Sequence, residues 1–268
     1  MTTERRLLVN SHAIIYDVIG KGNPVMLVHG FGEDSTIWEN QVAALSNKWQ
    51  LIIPDLPGSG RSAFTGDVSM EAMAEVLKAI LDDLQVSACI MIGHSMGGYV
   101  TLAFADKYPH MLHAFGLVHS TAYADNEEKI AARRRGISFI YENGAARFME
   151  QSTLNLFSKE TRENRPDFVT EIVARYTNFL PQSLVGYYEA MIQRPNRTHV
   201  LKSSGKPVLF IMGKYDTAVP LEQGLEQSYL PGVSYIHVLR HSGHLGMLEE
   251  TTLSTGFLDK FLQDNEIG

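Results

Sequence analysis

Short apolar runs that end in Gly, Asp or His recur along the chain. They are apolar at both odd and even positions and cover 25–29, 51–55, 88–93, 115–119 and 208–213. Because a strand that is buried on both faces of a parallel sheet has no polar side, this pattern predicts such strands. Two earlier runs, 7–9 and 13–19, are separated by Asn10 and Ser11 and predict an antiparallel pair.

Helical periodicity occupies the stretches between these runs. In 69–84 apolar side chains recur every three or four residues, and 96–108 is small and apolar until Pro109. An amphipathic stretch at 253–262 predicts a last helix. Strands that alternate with helices predict an α/β domain whose mostly parallel sheet carries helices on both faces.

The alternation is interrupted between 121 and 199, where no buried strand is predicted. Four helices are predicted in this segment, at 126–141, 145–157, 166–179 and 184–193. Each has an apolar stripe that is too narrow for the helix to be stable alone, so we expect the segment to lie on the main domain as a lid. The predicted domains are therefore a core, 1–120 and 200–268, and a helical insertion, 121–199.

Composition excludes several classes of protein. Of 268 residues, 44% are hydrophobic and 20% are charged, which predicts a folded chain with a large core. The formal charge of -7 disfavours a nucleic-acid partner. The single cysteine, Cys89, allows no internal disulfide and suits a reducing cytoplasm. No signal peptide or membrane span is recognisable, so we expect a cytoplasmic protein without a membrane partner.

The segment Gly93-His94-Ser95-Met96-Gly97 fits the G-x-S-x-G pattern. It follows the apolar strand residues 88–92 directly, and the predicted helix begins at Met96 directly after Ser95, which is the context that the pattern requires. On such a sharp turn the hydroxyl of Ser95 is exposed, and glycines are needed because side chains there would collide. Ser95 is therefore the candidate nucleophile.

A serine hydroxyl needs a base to become a good nucleophile at neutral pH. Among the ten histidines, His244 is the best candidate, since it lies in a glycine-flanked loop after the predicted strand 235–239. His241 lies on the same loop and is interpreted as a structural residue. His94 is adjacent to Ser95, but neighbouring side chains at a sharp turn point apart, so we expect it to support the turn.

The base in turn needs an acid to orient it. Asp216 follows the predicted strand 208–213 at the edge where open α/β sheets assemble their sites. The preceding strand ends at His119 and Ser120, and the next carboxylate is Asp125. The order Ser95, Asp216, His244 is the order of nucleophile, acid and base in a hydrolase triad of this kind.

Acyl transfer also needs donors for the oxyanion. His29-Gly30-Phe31-Gly32 follows a predicted strand, and we expect the backbone N–H of Phe31 to form the oxyanion hole together with the N–H of Met96. A glycine turn without this role is the alternative.

Five motifs then stand in order along the whole chain: His29-Gly30-Phe31-Gly32, Asp55-Leu56-Pro57-Gly58-Ser59-Gly60-Arg61-Ser62, Gly93-His94-Ser95-Met96-Gly97-Gly98, Gly213-Lys214-Tyr215-Asp216 and Ser242-Gly243-His244. Together they resemble the α/β-hydrolase superfamily. The resemblance implies an eight-stranded, mostly parallel sheet, a helical cap inserted after the sixth strand and a Ser-Asp-His triad. It also implies a substrate pocket between core and cap.

Within that superfamily the nucleophile narrows the chemistry. Members that open epoxides or displace halide carry aspartate at the elbow, whereas this chain carries Ser95, so an acyl-enzyme is expected. The main hypothesis is hydrolysis of a small carboxylic ester, thioester or lactone without metal or cofactor. The alternatives are hydrolysis of carbon–carbon bonds in ring-fission diketones, cofactor-free haloperoxidase or perhydrolase activity, and a non-catalytic receptor for a small ligand.

The predicted pocket residues are His119 and Ser120 from the core and three aromatic residues of the insertion, Phe139, Phe148 and Tyr187. Packing within the insertion is the alternative role for the aromatic residues. Arg133-Arg134-Arg135 forms a charged run that is expected to face solvent, although Arg133 or Arg135 could hold a substrate carboxylate. The oligomeric state is left open.

Overall fold

One mixed sheet of eight strands forms the centre of the molecule in the computed structural model, which describes residues 2–266. The strands are β1 (Thr2–Val9), β2 (His12–Ile19), β3 (Pro24–Val28), β4 (Gln50–Pro54), β5 (Cys89–His94), β6 (Leu112–Val118), β7 (Val208–Gly213) and β8 (Ser234–Leu239). Their spatial order is β1-β2-β4-β3-β5-β6-β7-β8. β2 pairs antiparallel with both β1 and β4, and the remaining pairs are parallel, so six strands, β3 to β8, form the parallel part of the sheet.

Twelve α-helices accompany the sheet within residues 2–266. They are α1 (Glu39–Leu45), α2 (Met70–Asp83), α3 (Met96–Lys107), α4 (Glu127–Asn143), α5 (Ala145–Leu156), α6 (Lys159–Asn164), α7 (Pro166–Arg175), α8 (Pro181–Gln193), α9 (Thr198–Ser203), α10 (Leu221–Ser228), α11 (Gly246–Glu249) and α12 (Thr251–Asp264). None of these described helices is long and apolar enough to cross a membrane.

The sheet is buried on both faces, which explains the apolar runs in the sequence. Along β3, Val25 and Leu27 contribute to the core that includes side chains of α1 and α12. The alternate residues, Met26 and Val28, contribute to the opposite core, which includes side chains of α2 and α3. Because successive side chains of a strand point to opposite faces, a strand between two helix layers must be apolar throughout.

The predicted fold class, a mostly parallel eight-stranded sheet with helices on both faces, is confirmed. Each predicted strand is present, with boundaries that differ by up to five residues, because strand ends are set by ladder partners rather than by apolar character. The N-terminal pair is longer than its apolar runs, since β1 starts at Thr2 and includes the charged residues Glu4, Arg5 and Arg6, which pair with β2. Six helices, α4 to α9, separate β6 from β7.

The predicted helix 166–179 is shorter than expected. It ends at Arg175, because Tyr176 leaves the helical conformation and its hydroxyl reaches the Thr36 hydroxyl at 3.1 Å. An additional short helix, α6, starts after Ser158, whose side chain caps the Thr161 amide. A long-range contact therefore determines where α7 ends, and a local cap determines where α6 starts. Helical periodicity in the sequence predicts neither position.

The segment 127–193, called the inserted helices below, lies over the carboxyl ends of the strands. Tyr187 of α8 donates a hydrogen bond to the Pro57 carbonyl at 2.5 Å and contacts the Ser59 hydroxyl at 2.9 Å. The Leu156 carbonyl at the end of α5 accepts the His244 amide at 2.7 Å. These bonds join the inserted helices to loops that carry the candidate site.

Candidate active site

Ser95 occupies the sharp turn between β5 and α3. Its φ of 51° is uncommon for a residue with a side chain, so the turn holds it in a strained conformation. A Cβ on Gly93 would meet the Gly97 carbonyl oxygen at 2.3 Å, and a Cβ on Gly97 would meet the Val28 carbonyl oxygen at 2.4 Å. The two glycines are therefore required by the close approach of backbone on either side of the serine.

The structure brings Ser95, His244 and Asp216 together from three loops at the carboxyl edge of the sheet. His244 Nε2 lies 2.8 Å from Ser95 Oγ, and His244 Nδ1 lies 2.8 Å from Asp216 Oδ2. The carboxylate and the imidazole are both buried. A chain of two short hydrogen bonds thus runs from the serine hydroxyl through the imidazole to the carboxylate.

Asp216 accepts hydrogen bonds at both oxygens. Oδ1 accepts the amides of Ala218 and Val219, each at 2.9 Å, while Oδ2 contacts His244 and His119. Burial opposes ionisation, but the two histidines outweigh it and hold the pKa of Asp216 far below its usual range. Because the carboxylate is ionised, His244 Nδ1 carries the proton, and its Nε2 is left to accept the hydrogen of Ser95.

His119 is a second histidine on the same carboxylate. Its Nδ1 lies 3.0 Å from Asp216 Oδ2, and its Nε2 accepts the Gly246 amide at 3.2 Å. Since Nε2 is an acceptor, Nδ1 must be the donor to Asp216. Burial lowers the pKa of His119 to about 4, despite the nearby carboxylate, so the ring is neutral at physiological pH. The predicted pocket role of His119 is corrected, because this ring lies behind Asp216 and not in the cavity wall.

We expect the substitution His119→Gln to lower kcat by roughly ten-fold with little change in KM, because the amide nitrogen of Gln corresponds in reach to Nε2 and the bond from Nδ1, one of four hydrogen bonds to Asp216, is lost. Steady-state kinetics of His119→Gln and of His113→Gln, an exposed histidine on β6, the strand that precedes His119, provide the comparison. Equal effects of the two substitutions would show that the contact to Asp216 has no such role.

Ser120 supports the turn instead of lining a pocket. Its hydroxyl donates to the Ser95 carbonyl at 2.8 Å, and a Cβ on Gly98 would meet that hydroxyl at 2.3 Å. The second predicted pocket residue of the core is thus also corrected. Its side chain lies beneath the turn that carries Ser95, where it holds the backbone of the strained residue.

Phe31 and Met96 have backbone N–H groups that donate to no protein acceptor within residues 2–266. Met96 is the first residue of α3, where a helix provides no internal acceptor. Phe31 lies in the turn after β3 and lines the same cavity as Ser95. Two unpaired donors therefore accompany the serine, one on the elbow and one on the loop that follows β3.

Glu33 and His94 form a buried pair beside the elbow. Glu33 Oε2 lies 2.9 Å from His94 Nδ1 and accepts the Gly30 amide at 2.7 Å. Burial opposes the charge on both groups, but their mutual attraction outweighs it, which lowers the pKa of Glu33 and raises that of His94. The sequence did not predict this pair. The signal that could have indicated it is the charged residue Glu33 directly after the glycine turn 29–32.

A cavity with a volume of about 750 Å³, its open mouth included, lies between the inserted helices and the sheet edge. Its wall contains both Ser95 and His244. The lining residues are Phe31, Gly32, Glu33, Ile37, Ser95, Tyr99, Arg133, Met149, Ser152, Thr153, Leu156, Tyr176, Tyr188, Met191, Ala218, Val219, His244 and Leu245. Most of these side chains are apolar or aromatic, so the cavity suits a small, largely apolar ligand.

The three predicted aromatic pocket residues are corrected as well. Tyr187 is fully buried against the loop at Pro57 and Ser59, and its neighbour Tyr188 lines the cavity, stacked 4.4 Å from the Phe31 ring. Phe148 packs edge-on against Phe31 and Tyr188, behind the wall. Phe139 in turn packs on Phe148. Adjacent helix residues point about 100° apart, which separates the roles of the two tyrosines.

Arg133 is the one member of the arginine run that lines the cavity; Arg134 and Arg135 are exposed. Arg133 Nε bonds Asp125 Oδ2 at 2.6 Å, and Arg194 shares the same buried carboxylate at 2.9 Å. Two guanidinium groups against one carboxylate leave one net positive charge. The cavity therefore has a positively charged end.

His237 on β8 and His241 on the loop that follows lie in different environments. His237 stacks on Phe257 at 3.9 Å, and His241 is exposed and pairs with Glu160. The imidazole and carboxylate atoms of His119, Asp216 and His244 lie within 4.8 Å of one another. These atoms are hydrogen-bonded to one another through Asp216, and we assign the cluster to that network.

Residues 23–251 match the family described as the alpha/beta hydrolase fold. The chain belongs to this family. A structure of a thermophilic esterase from Thermogutta terrifontis with malate bound superimposes on the hydrolase with a TM-score of 0.92 at 28% identity, covering 99% of this chain and all of the other.

Among curated proteins, a 2-hydroxy-6-oxo-2,4-heptadienoate hydrolase from Pseudomonas putida is 27% identical over 91% of this chain and 90% of its own length. The enol-lactonase from Burkholderia xenovorans shares the fold with a TM-score of 0.89, at 21% identity over 97% of this chain and all of the other. The hydrolase thus has relatives named as an esterase and as a 2-hydroxy-6-oxo-2,4-heptadienoate hydrolase.

Proposed function

We propose that this α/β hydrolase cleaves a small carboxylic ester, thioester or lactone through an acyl-enzyme on Ser95. The observation that carries the proposal is the chain of hydrogen bonds from Ser95 Oγ through His244 to Asp216, open to the cavity at the serine. Intact catalytic geometry also favours an enzyme over a non-catalytic receptor. The reaction requires no metal or cofactor, and the protein acts in the cytoplasm on a small molecule.

Acylation begins when Ser95 Oγ attacks the carbonyl carbon of the substrate. His244 Nε2 takes the hydroxyl proton, and the resulting imidazolium is stabilised by the ionised Asp216. The carbonyl oxygen becomes an oxyanion that accepts hydrogen bonds from the backbone N–H groups of Phe31 and Met96. His244 then donates its proton to the leaving alcohol, thiol or enol, and the acyl group remains on Ser95.

Deacylation repeats these steps with water as the nucleophile. His244 removes a proton from the water, which attacks the acyl carbon, and the same two backbone donors hold the second oxyanion. The carboxylic acid product leaves when the proton returns to Ser95. The inserted helices form the cap over this site, because they contribute eight of the eighteen residues that line the cavity.

The proposal is tested with p-nitrophenyl and phenyl esters of graded acyl length, without added metal or cofactor. If p-nitrophenyl and phenyl esters of one acid form the same acyl-enzyme, added methanol competes with water for that intermediate. The ratio of methyl ester to acid then depends on the acyl group and not on the leaving group. A ratio that changes with the leaving group would contradict an acyl-enzyme. Absence of ester turnover would favour the carbon–carbon hydrolase alternative.

The second candidate function, hydrolysis of a carbon–carbon bond in a diketone acid, is favoured by Arg133. This residue places one net positive charge at the cavity, where it could hold a substrate carboxylate. The relative from Pseudomonas putida is named for a substrate that carries such a group. Peracid formation from acetate and peroxide remains a side activity that the same serine could support.

We expect Arg133→Gln to lower kcat/KM for methyl hydrogen adipate by roughly ten-fold, since a hydrogen bond to a charged group contributes about 1.5 kcal/mol. Methyl hexanoate, of similar length but neutral, should be affected little. Arg135→Gln changes the same charge on the exposed face of α4 and serves as control. If Arg133→Gln slows both esters equally, the arginine is only a structural partner of Asp125.

A further inference from the structure

His94 makes two hydrogen bonds that lead in opposite directions from the elbow. Its Nδ1 lies 2.9 Å from Glu33 Oε2, on the loop that follows β3, and its Nε2 lies 3.0 Å from the backbone carbonyl oxygen of His244. The side chain is completely buried and does not line the cavity. One imidazole therefore bridges the loop that carries Phe31 and the loop that carries the candidate base.

The partners of this ring determine its protonation. A carbonyl oxygen can only accept, so His94 Nε2 must carry a hydrogen. Glu33 Oε2 already accepts the Gly30 amide, as an ionised carboxylate does, so Nδ1 is a donor as well. A ring that donates from both nitrogens is an imidazolium.

The charged and titratable groups that face His94 support this assignment. Three other histidines lie nearby: the Nε2 atoms of His29 and His119 accept backbone amides, and His244 lies between Asp216 and Ser95. The anionic groups are Glu33 and Asp216, and both favour a cation at His94.

We propose that His94 is a positioning residue that acts as a permanently protonated bridge, fixing the backbone of His244 relative to the oxyanion loop. The proposal rests on the proposed function, since it gives His244 the role of base. The His244 amide is bonded on its other side to the Leu156 carbonyl of the inserted helices. The backbone N–H and the carbonyl of His244 are thus both hydrogen-bonded. The bond to the carbonyl comes from His94, the residue next to Ser95 on the elbow.

Two substitutions separate the two bonds of the bridge. The amide nitrogen of Gln corresponds in reach to Nε2 of histidine, and that of Asn to Nδ1. His94→Gln therefore keeps a donor for the His244 carbonyl and loses the one for Glu33, whereas His94→Asn does the reverse. Both remove the same charge, so the two variants are matched for the loss of the ion pair with Glu33.

We expect His94→Asn to lower kcat by roughly ten- to hundred-fold, with KM within about three-fold, because the base is no longer held at its carbonyl. His94→Gln should retain kcat within about five-fold of the wild type. Equal losses in the two variants would overturn the positioning role.

A second measurement needs neither turnover nor a variant. Nitrogen-15 NMR of histidine-labelled wild-type protein at pH 8 should show both ring nitrogens of His94 protonated, assigned through the contact of its ring N–H with the Gly30 amide. A neutral His94 ring at this pH would overturn the proposal even if ester hydrolysis is confirmed. Protonation of both nitrogens in a protein without ester turnover would instead leave the bridge intact and contradict the proposed reaction.

Discussion

Ser95→Ala is expected to lose between roughly 10⁴- and 10⁶-fold in kcat toward any ester that the wild type hydrolyses. In the proposed mechanism the substitution removes the atom that forms the acyl bond, while the backbone donors at Phe31 and Met96 and the cavity remain. KM for the residual reaction should change little, because the hydroxyl contributes little to ground-state binding. The measurement is the steady-state rate with a p-nitrophenyl ester at saturating concentration.

Ser152→Ala is the matched control for this loss. Ser152 lines the same cavity, and its hydroxyl is bonded to the Met149 carbonyl at 3.3 Å rather than to an imidazole. Its removal should leave kcat within about three-fold of the wild type. Such a change corresponds to well under the roughly 1.4 kcal/mol of activation free energy that a factor of ten in rate represents. Comparable losses in both variants would mean that cavity shape, and not a nucleophile at Ser95, limits the rate.

Asp216→Asn is expected to lower kcat by roughly 10³- to 10⁴-fold near neutral pH. The amide oxygen can still accept the amides of Ala218 and Val219, which leaves the NH₂ group facing His244 and His119. An NH₂ group that donates to His244 Nδ1 moves the imidazole proton to Nε2, where it can no longer accept from Ser95. The base is then present in the wrong tautomer.

Asp82→Asn makes the same chemical change at an exposed position paired with Lys78 and serves as control. Thermal unfolding of both variants separates a loss of catalysis from a loss of structure. Rates near those of the wild type in folded Asp216→Asn would mean that a different acid orients His244.

The sheet could be predicted from the sequence because its central strands are buried on both faces. Runs such as 208–213 must then be apolar at nearly every position. Their short length and the glycines nearby distinguish them from a buried helix. The association of Ser95, Asp216 and His244 followed from the same reasoning, since parallel strands bring their carboxyl ends to one edge. The structure places His244 within hydrogen-bonding distance of both Ser95 and Asp216.

The cavity wall could not be predicted in the same way. Which of two adjacent tyrosines, Tyr187 or Tyr188, faces the ligand depends on the rotation of α8, which is fixed by the bond of Tyr187 to the Pro57 carbonyl. That contact spans 130 residues of sequence and leaves no local pattern. His119 was assigned to the pocket for the same reason, since its bond to Asp216 spans 97 residues.

The most direct test of the account is covalent labelling with diethyl p-nitrophenyl phosphate, which transfers a phosphoryl group to an activated serine. Mass spectrometry of the intact protein should show a single diethylphosphoryl adduct that coincides with loss of ester hydrolysis, and peptide mapping should place it on Ser95. Ser95→Ala should remain unlabelled, whereas Ser152→Ala should be labelled like the wild type. Full activity in a labelled protein, or an adduct on a residue other than Ser95, would contradict the acyl-enzyme mechanism.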